Sequence, residues 1–103
     1  MPDAVPASIA LAYLATLSAD LRTAVVLDAD GAVMAGNADL AYAASGLVHT
    51  ADLVQVRCTP HADGTLFAAR SASHVLALAV GPHALEAVVV HDLLATLDDL
   101  RGW

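Results

Sequence analysis

Residues 23–36 decide the fold, and they read Thr-Ala-Val-Val-Leu-Asp-Ala-Asp-Gly-Ala-Val-Met-Ala-Gly. Two short apolar runs, at 23–27 and 32–35, flank the pair Asp30-Gly31. The first run is too short for a helix and is β-branched in character. Glycine reaches the positive φ that a tight turn requires, and aspartate tolerates it. The segment therefore predicts a β-hairpin whose second strand ends at Gly36-Asn37.

Helices are predicted on both sides of this hairpin. Upstream, apolar residues at helical spacing predict a first helix over about residues 8–20, with Ser8 as its N-cap. Its stripe consists of Ala10, Leu14, Leu17 and Leu21, with Ile9 and Tyr13 beside it. Downstream, a second helix is predicted from Ala38 to about Ala51, capped by Asn37 or Asp39. Gly46 weakens this helix by about 1 kcal/mol relative to alanine.

Three further strands follow. Residues 53–59 alternate, which places Val54, Val56 and Cys58 on one face and predicts a half-buried strand with a buried Cys58 thiol. A turn at 60–64 contains a second Asp-Gly pair, and a strand at 65–70 follows it. After a turn at 71–73, residues 74–80 form the most apolar strand. We expect this strand to be central in the sheet.

The chain closes with an amphipathic helix. Gly81 ends the preceding strand, and Pro82 stands near the first helical position, where its missing N–H is not needed. Apolar positions then step by three and four to about Arg101; they are Leu85, Val88, Val89, Leu93, Thr96, Leu97 and Leu100. The order α-β-β-α-β-β-β-α, with short connections within hairpins, predicts an α+β fold with a largely antiparallel sheet. We expect one domain over residues 1–103, with 1–7 as a short lead-in.

Composition excludes several classes of function. The chain is 58% hydrophobic with a net charge of −7. Alanine inflates the mean hydropathy, and no segment offers the ~20 consecutive apolar residues of a membrane span. The four basic residues are scattered arginines, which argues against nucleic acid or an anionic membrane as a partner. A single cysteine, a start without a basic leader and the absence of a span predict a protein of the reducing cytoplasm without membrane insertion.

The motifs that carry chemistry are incomplete. Asp28-x-Asp30-Gly31 lacks the further oxygen ligands of a calcium loop and the glutamate at its twelfth position. Cys58-x-x-His61 supplies two of the four ligands of a closed zinc site, and the other histidines have no recognised spacing. Neither a Gly-x-Ser-x-Gly elbow nor a Gly-Lys-Ser/Thr loop is present. We therefore predict no enzyme, no catalytic residue, no metal site and no cofactor.

The leucine-rich opening helix, the hairpin at 23–36, the strand His74 to Val80 and the last helix resemble the roadblock / dynein light chain family. The likeness spans nearly the whole chain. It implies a five-stranded antiparallel sheet with one helix on one side and two on the other. It also implies homodimers or heterodimers in which the second helices meet and the sheets join edge to edge. Such domains regulate or scaffold small Ras-like GTPases, the usual expectation in bacteria, or serve as light chains of motor complexes.

Three functions follow as hypotheses. The first is a non-catalytic, homodimeric regulator or scaffold that binds a small Ras-like GTPase encoded elsewhere. The second is a small-molecule or signal-sensing module, which predicts a pocket between sheet and helix. The third is a small enzyme, which predicts converging His, Asp and Ser or Cys side chains. The stripe Leu40, Ala43, Ala44 and Leu47 is either a core face or the dimer interface.

Overall fold

The computed structural model describes residues 9–12, 14–15, 20–48, 56–61 and 64–101. Residues 9–12 and 14–15 are helical and are labelled α1. The remaining elements are β1 (Leu21–Asp28), β2 (Val33–Gly36), a 3₁₀ turn (Ala38–Leu40), α2 (Ala41–Val48), β3 (Arg57–His61), β4 (Gly64–Arg70), β5 (His74–Val80) and α3 (Glu86–Arg101). No helix of the described ranges is long and apolar enough to cross a membrane.

The five strands form one antiparallel sheet in the order β2-β1-β5-β4-β3. β5 is the central strand, as its apolar sequence predicts. β2 and β3 are the two edges. The predicted α+β class and the antiparallel sheet are therefore confirmed.

The β1–β2 hairpin forms at the predicted Asp-Gly turn. Asp28 Oδ1 accepts hydrogen bonds from the backbone N–H groups of Asp30 and Ala32, both at 2.9 Å. Gly31 has a φ of 91°, which a side chain would resist. β1 starts at Leu21, two residues before the predicted run, because Leu21 also pairs with Val80 of β5.

Each face of the sheet has its own core, and the two cores assign the helices to sides. α1 and α3 contribute Leu14 and Leu93 to the first core, which includes Phe67 of the sheet. α2 contributes Ala44, and the 3₁₀ turn before it contributes Leu40, to the second core on the opposite face. One helix therefore covers one face and two helices cover the other, as the resemblance implies.

The predicted strand at 53–59 requires correction. The described strand begins at Arg57 and continues through Pro60 and His61, which were expected in a turn; residues 53–55 lie outside the described ranges. Proline is tolerated here because β3 is an edge strand with one side unpaired. The Cys58 thiol is exposed rather than buried. The alternating pattern predicted the face of the sheet on which Cys58 lies. It could not predict that the helices leave this face uncovered at β3.

The helix boundaries also differ from the predictions. α3 begins at Glu86, not near Pro82, and Leu85 and Val88 of the predicted apolar stripe are 70% and 47% exposed. The first helix ends before Asp20, so Leu21 belongs to a strand. The second helix opens as the 3₁₀ turn, where Asn37 Oδ1 accepts from the Asp39 N–H at 2.9 Å, as predicted for a cap. The predicted ends at Ser8 and Ala51 lie outside the described residues.

Candidate interaction surface

The stripe predicted as core face or interface lies on α2 and the turn before it. Leu40 and Ala44 are buried against the sheet, while Ala43 and Leu47 are half-buried and contact the same core. The core interpretation thus holds for Leu40 and Ala44 within one copy of the chain. Ala43 and Leu47 keep part of their surface exposed to solvent.

The direction of that remaining surface follows from the opposite flank of the helix. A Cβ built on Gly31 would lie 3.7 Å from Ser45 Oγ, so Ser45 faces the β1–β2 turn. At about 100° per residue, Ala43 and Leu47 lie on the flank opposite Ser45. Since β2 and β3 are the two edges of the sheet, Ala43 and Leu47 face the β3 side.

The outer face of α2 presents an aromatic ring to solvent. Tyr42 is 92% exposed, and Gly46 stands one turn further along the same face. Apart from its chain neighbours and the backbone of its own helix, no described atom lies within 4 Å of the position of a Cβ on Gly46. Tyr42 was not selected from the sequence. Its position, about 160° from Ala44 around the helix, was the signal that could have identified it.

The β3 edge lies beside this surface. Arg57, Cys58 and Pro60 are exposed, and all five residues of the strand pair with β4 in an uninterrupted register. α2 contacts β3, β4 and β5, so the helix and this edge form adjoining parts of one side of the molecule. We call Tyr42, Ala43, Gly46 and Leu47 together with β3 the α2–β3 surface.

A polar cluster joins the start of β1 to the loop before α3. Asp20 Oδ2 accepts from the backbone N–H of His83 at 2.9 Å, and Asp20 Oδ1 accepts from Arg22 Nε at 3.1 Å. The His83 hydrogen bond is the main cause of a lowered pKa of Asp20; desolvation opposes it and Arg22 reinforces it. Gly81 lies beneath these side chains, since a Cβ there would lie 2.6 Å from Arg22 Nη2. The cluster ties the loop before α3 to the start of β1.

A second polar cluster occupies the β4–β5 turn and bears on the enzyme hypothesis. Ser73 Oγ and His74 Nδ1 are 2.9 Å apart, and Ser71 Oγ accepts from the backbone N–H groups of Ser73 and His74. Asp28 pairs with His74 in the sheet register, but its Oδ1 accepts from its own turn. The hydrogen bonds of this cluster stabilise a turn. Among the described residues, no three His, Cys, Asp or Glu side chains could together hold a metal ion.

The layer between α2 and the sheet bears on the sensing hypothesis. A pocket was predicted between sheet and helix without a choice of helix. In the α2 layer, Ala44 and Val48 of the helix cluster with Leu66, Ala68 and Ala77 of the strands, and all five are buried. Small alanines on both sides let the helix lie close to the sheet. This contact favours a packed layer at that position.

Two solved structures share the fold of this chain. A Roadblock/LC7 domain from Streptomyces avermitilis has a TM-score of 0.80 at 20% sequence identity, over 92% of this chain and 94% of that domain. Another Roadblock/LC7 domain structure, whose source is given as Streptomyces avermitillis, has a TM-score of 0.70 at 23% identity, over 88% and 94%. No family model and no curated protein matches the sequence. The fold of a bacterial roadblock-type domain is therefore present, as the resemblance implied.

Proposed function

We propose that this chain is a non-catalytic regulatory or scaffold module that forms a homodimer and binds a small Ras-like GTPase in the cytoplasm. The observation that carries the proposal is the Roadblock/LC7 fold over nearly the whole chain. The sequence adds support, because it has no Gly-Lys-Ser/Thr loop with which to bind a nucleotide itself. The nucleotide would belong to the partner.

The proposed dimer forms through the α2–β3 surface. Tyr42 is a nearly fully exposed aromatic side chain beside Gly46, where another helix has room to approach. Tyrosine is a residue type enriched at protein interfaces. The predicted interface residues Ala43 and Leu47 adjoin this face on the side of β3. Leu40 and Ala44 would support the interface from within the core.

The proposed GTPase partner would bind a protein of unusual charge. The chain carries 11 acidic residues and only four basic ones, none of them lysine. Asp28 ends β1, and the exposed Asp30 and Asp39 lie in the connections before and after the edge strand β2. Electrostatic complementarity would favour a GTPase whose contact surface is basic.

The dimer is tested on two matched variants. Tyr42→Asp places a charge at the centre of the proposed surface, whereas Ala95→Asp places the same charge at an exposed position of α3. Size-exclusion chromatography with light scattering should give a dimer for the natural chain and for Ala95→Asp, and a monomer for Tyr42→Asp. A monomeric natural chain at tens of micromolar would remove the dimer from the proposal.

The GTPase is tested by titration. Ras-like GTPases encoded in the source genome, each loaded with GDP or a non-hydrolysable GTP analogue, are titrated with the chain in a calorimeter. We expect at least one GTPase to bind, with different affinities for its GDP-bound and GTP-bound states. A change in its nucleotide exchange or hydrolysis rate would indicate a regulatory role, and an unchanged rate would indicate a scaffold role. Absence of binding to every such GTPase would overturn this part of the proposal.

A further inference from the structure

Two of the four basic residues of the chain become neighbours in the fold. Arg57 of β3 pairs with Ala68 of β4, and Arg70 is the next residue of β4 on the same face of the sheet. Diagonal neighbours in an antiparallel pair lie about 7–8 Å apart, within reach of long side chains. Two arginines that are distant in sequence can therefore direct their guanidinium groups at one ligand.

Both arginines lie on the face of the sheet that α2 covers. Ala68 and Val75, the cross-strand partners of Arg57 and Arg70, belong to the core beneath this helix and are buried. Arg57 is exposed, whereas Arg70 is half-buried beside these apolar neighbours. Solvent screens an ionic interaction at Arg70 less than one at an exposed residue, because burial lowers the effective dielectric constant.

The guanidinium group of Arg70 contains a buried donor without an acceptor. Its Nε atom is closed to solvent and has no hydrogen-bond partner among the residues that the structure describes. Buried side-chain donors have a partner in the large majority of cases, so this exception requires a reason. Packing holds this cation where part of its hydration is lost, and an anion beside it would compensate for that loss.

The described strands and α2 place no acidic side chain on this face. Asp28 is the one acidic residue within those strands, and it pairs with His74, the neighbour of Val75, which puts it on the opposite face. α2 contains no charged residue. Asp39, in the turn before α2, follows β2 at the far edge of the sheet. In a chain of net charge −7, the two arginines are a local reversal of sign.

We propose that Arg57 and Arg70 form a binding site for the phosphate group of a small molecule. A phosphate monoester carries nearly two negative charges at neutral pH, because its second pKa is about 6. Two guanidinium groups match that charge and offer paired N–H donors to its oxygens. A carboxylate carries one charge, which a single arginine already matches.

Two features set the class of ligand and separate this site from the proposed interfaces. The net charge of −7 disfavours a polyanion or an anionic membrane, so we expect a small phosphate compound or free phosphate. Both arginines belong to one copy of the chain. The site therefore depends neither on the proposed dimer nor on the proposed GTPase.

Heteronuclear NMR supplies a site-specific test. The arginine Nε–H signals of the natural chain are followed at constant ionic strength during titration with inorganic phosphate, from about 0.1 to 50 mM, a range that brackets weak binding. We expect the signals of Arg57 and Arg70 to move together with one Kd. The signal of Arg22, which is paired with Asp20, should stay in place. Acetate over the same range should bind at least ten-fold more weakly.

Thermal unfolding of matched variants tests the same residues. Phosphate that binds the folded chain raises its thermal midpoint above that in sodium chloride of equal ionic strength. Arg70→Gln and Arg57→Gln should each raise the phosphate Kd at least ten-fold and remove most of this rise. Arg22→Gln removes the same charge from β1 and should keep the natural rise. Because Arg57 is exposed, Arg57→Gln remains informative if circular dichroism shows that Arg70→Gln does not fold.

Three results would overturn the proposal. They are Arg57 and Arg70 signals that do not respond to phosphate, a response to acetate as strong as that to phosphate, and an equal loss of the phosphate effect in Arg22→Gln and Arg70→Gln. The last result would mean that phosphate acts on the overall charge of the chain. None of the three changes the outcome of the light-scattering test of the dimer.

Discussion

The two edges of the sheet are built differently. β2 has four residues, its pairing with β1 is interrupted by an irregularity between Val26 and Leu27, and it ends at Gly36 against Leu11 of α1. β3 has five residues in a continuous register with β4 and an exposed outer side that contains Pro60. A short, irregular strand covered at one end is a blunted edge, whereas a regular strand invites a partner. This difference supports placing the proposed dimer contact at β3 rather than at β2.

The largest effect is expected from Gly36→Ala at the end of β2. Gly36 has a φ of 95°, and a Cβ there would lie 2.8 Å from Leu11 Cδ1 and 2.9 Å from the Cα of Val25. Strain at a non-glycine residue with positive φ, with displacement of β1 or α1, should lower the free energy of unfolding by about 2–3 kcal/mol. Urea denaturation of the variant and the natural chain measures this loss in the free energy of unfolding. A loss below about 0.5 kcal/mol would mean that α1 does not close this edge.

The next effect distinguishes the edges by association. Cys58→Lys on β3 brings one positive charge from each copy into the proposed α2–β3 contact, and we expect the dimer Kd to rise at least ten-fold, about 1.4 kcal/mol. Val33→Lys is the matched control, because Val33 is an exposed residue of β2 at 43%. Its dimer Kd should stay within about two-fold of the natural chain, as is usual for changes outside an interface. Sedimentation equilibrium of both variants makes the comparison, and equal effects on the two would remove the difference between the edges.

A smaller effect of opposite sign is expected from Gly46→Ala in α2. Glycine within a helix lowers stability by roughly 0.5–1 kcal/mol relative to alanine. Outside the chain neighbours and the backbone of its own helix, no described atom lies within 4 Å of the added methyl group. The free energy of unfolding at low protein concentration should rise by that amount, in contrast to Gly36→Ala. A decrease would show that Gly46 is required for packing within one copy.

The smallest effect concerns the strands between the edges, where Asp20 ties β1 to the loop after β5. Its pKa is lowered in the folded state, so its stabilisation is present above the unfolded value near 3.8 and is lost as pH falls through the folded value. Asp20→Asn should lower the thermal midpoint at pH 6, and the difference from the natural chain should shrink toward pH 3. Asp30→Asn, at an exposed turn residue, is the control. A difference that does not depend on pH would contradict this role of Asp20.

Local patterns predicted the elements whose structure depends on nearby residues. The Asp28–Gly31 turn uses hydrogen bonds within four residues, and the central position of β5 follows from its uninterrupted apolar sequence. The start of α3 could not be read in the same way. The loop before it is tied to Asp20, which accepts from the His83 N–H across 63 residues of sequence.

Only part of the candidate surface was predicted, because the rest also depends on contacts between residues distant in sequence. The apolar stripe on α2 identified the helix, but its apolar residues point mainly to the sheet, and the outward Tyr42 and the β3 edge were not selected. The exposure of Cys58 depends on β3 being an edge beyond the reach of the helices on its face. Strand order is a property of the whole chain, so alternation within one strand cannot supply it.

The most direct test of the account is sedimentation equilibrium of the reduced natural chain from about 1 to 100 µM, a range that brackets micromolar association. We predict a mass that rises to twice that of the 10.5 kDa chain and no further, because a two-fold contact uses the α2–β3 surface of both copies and closes the assembly. At each concentration in this range, Cys58→Lys should have a lower average mass than the natural chain. A natural chain that stays at 10.5 kDa throughout, or that grows into larger assemblies, would contradict the central claim.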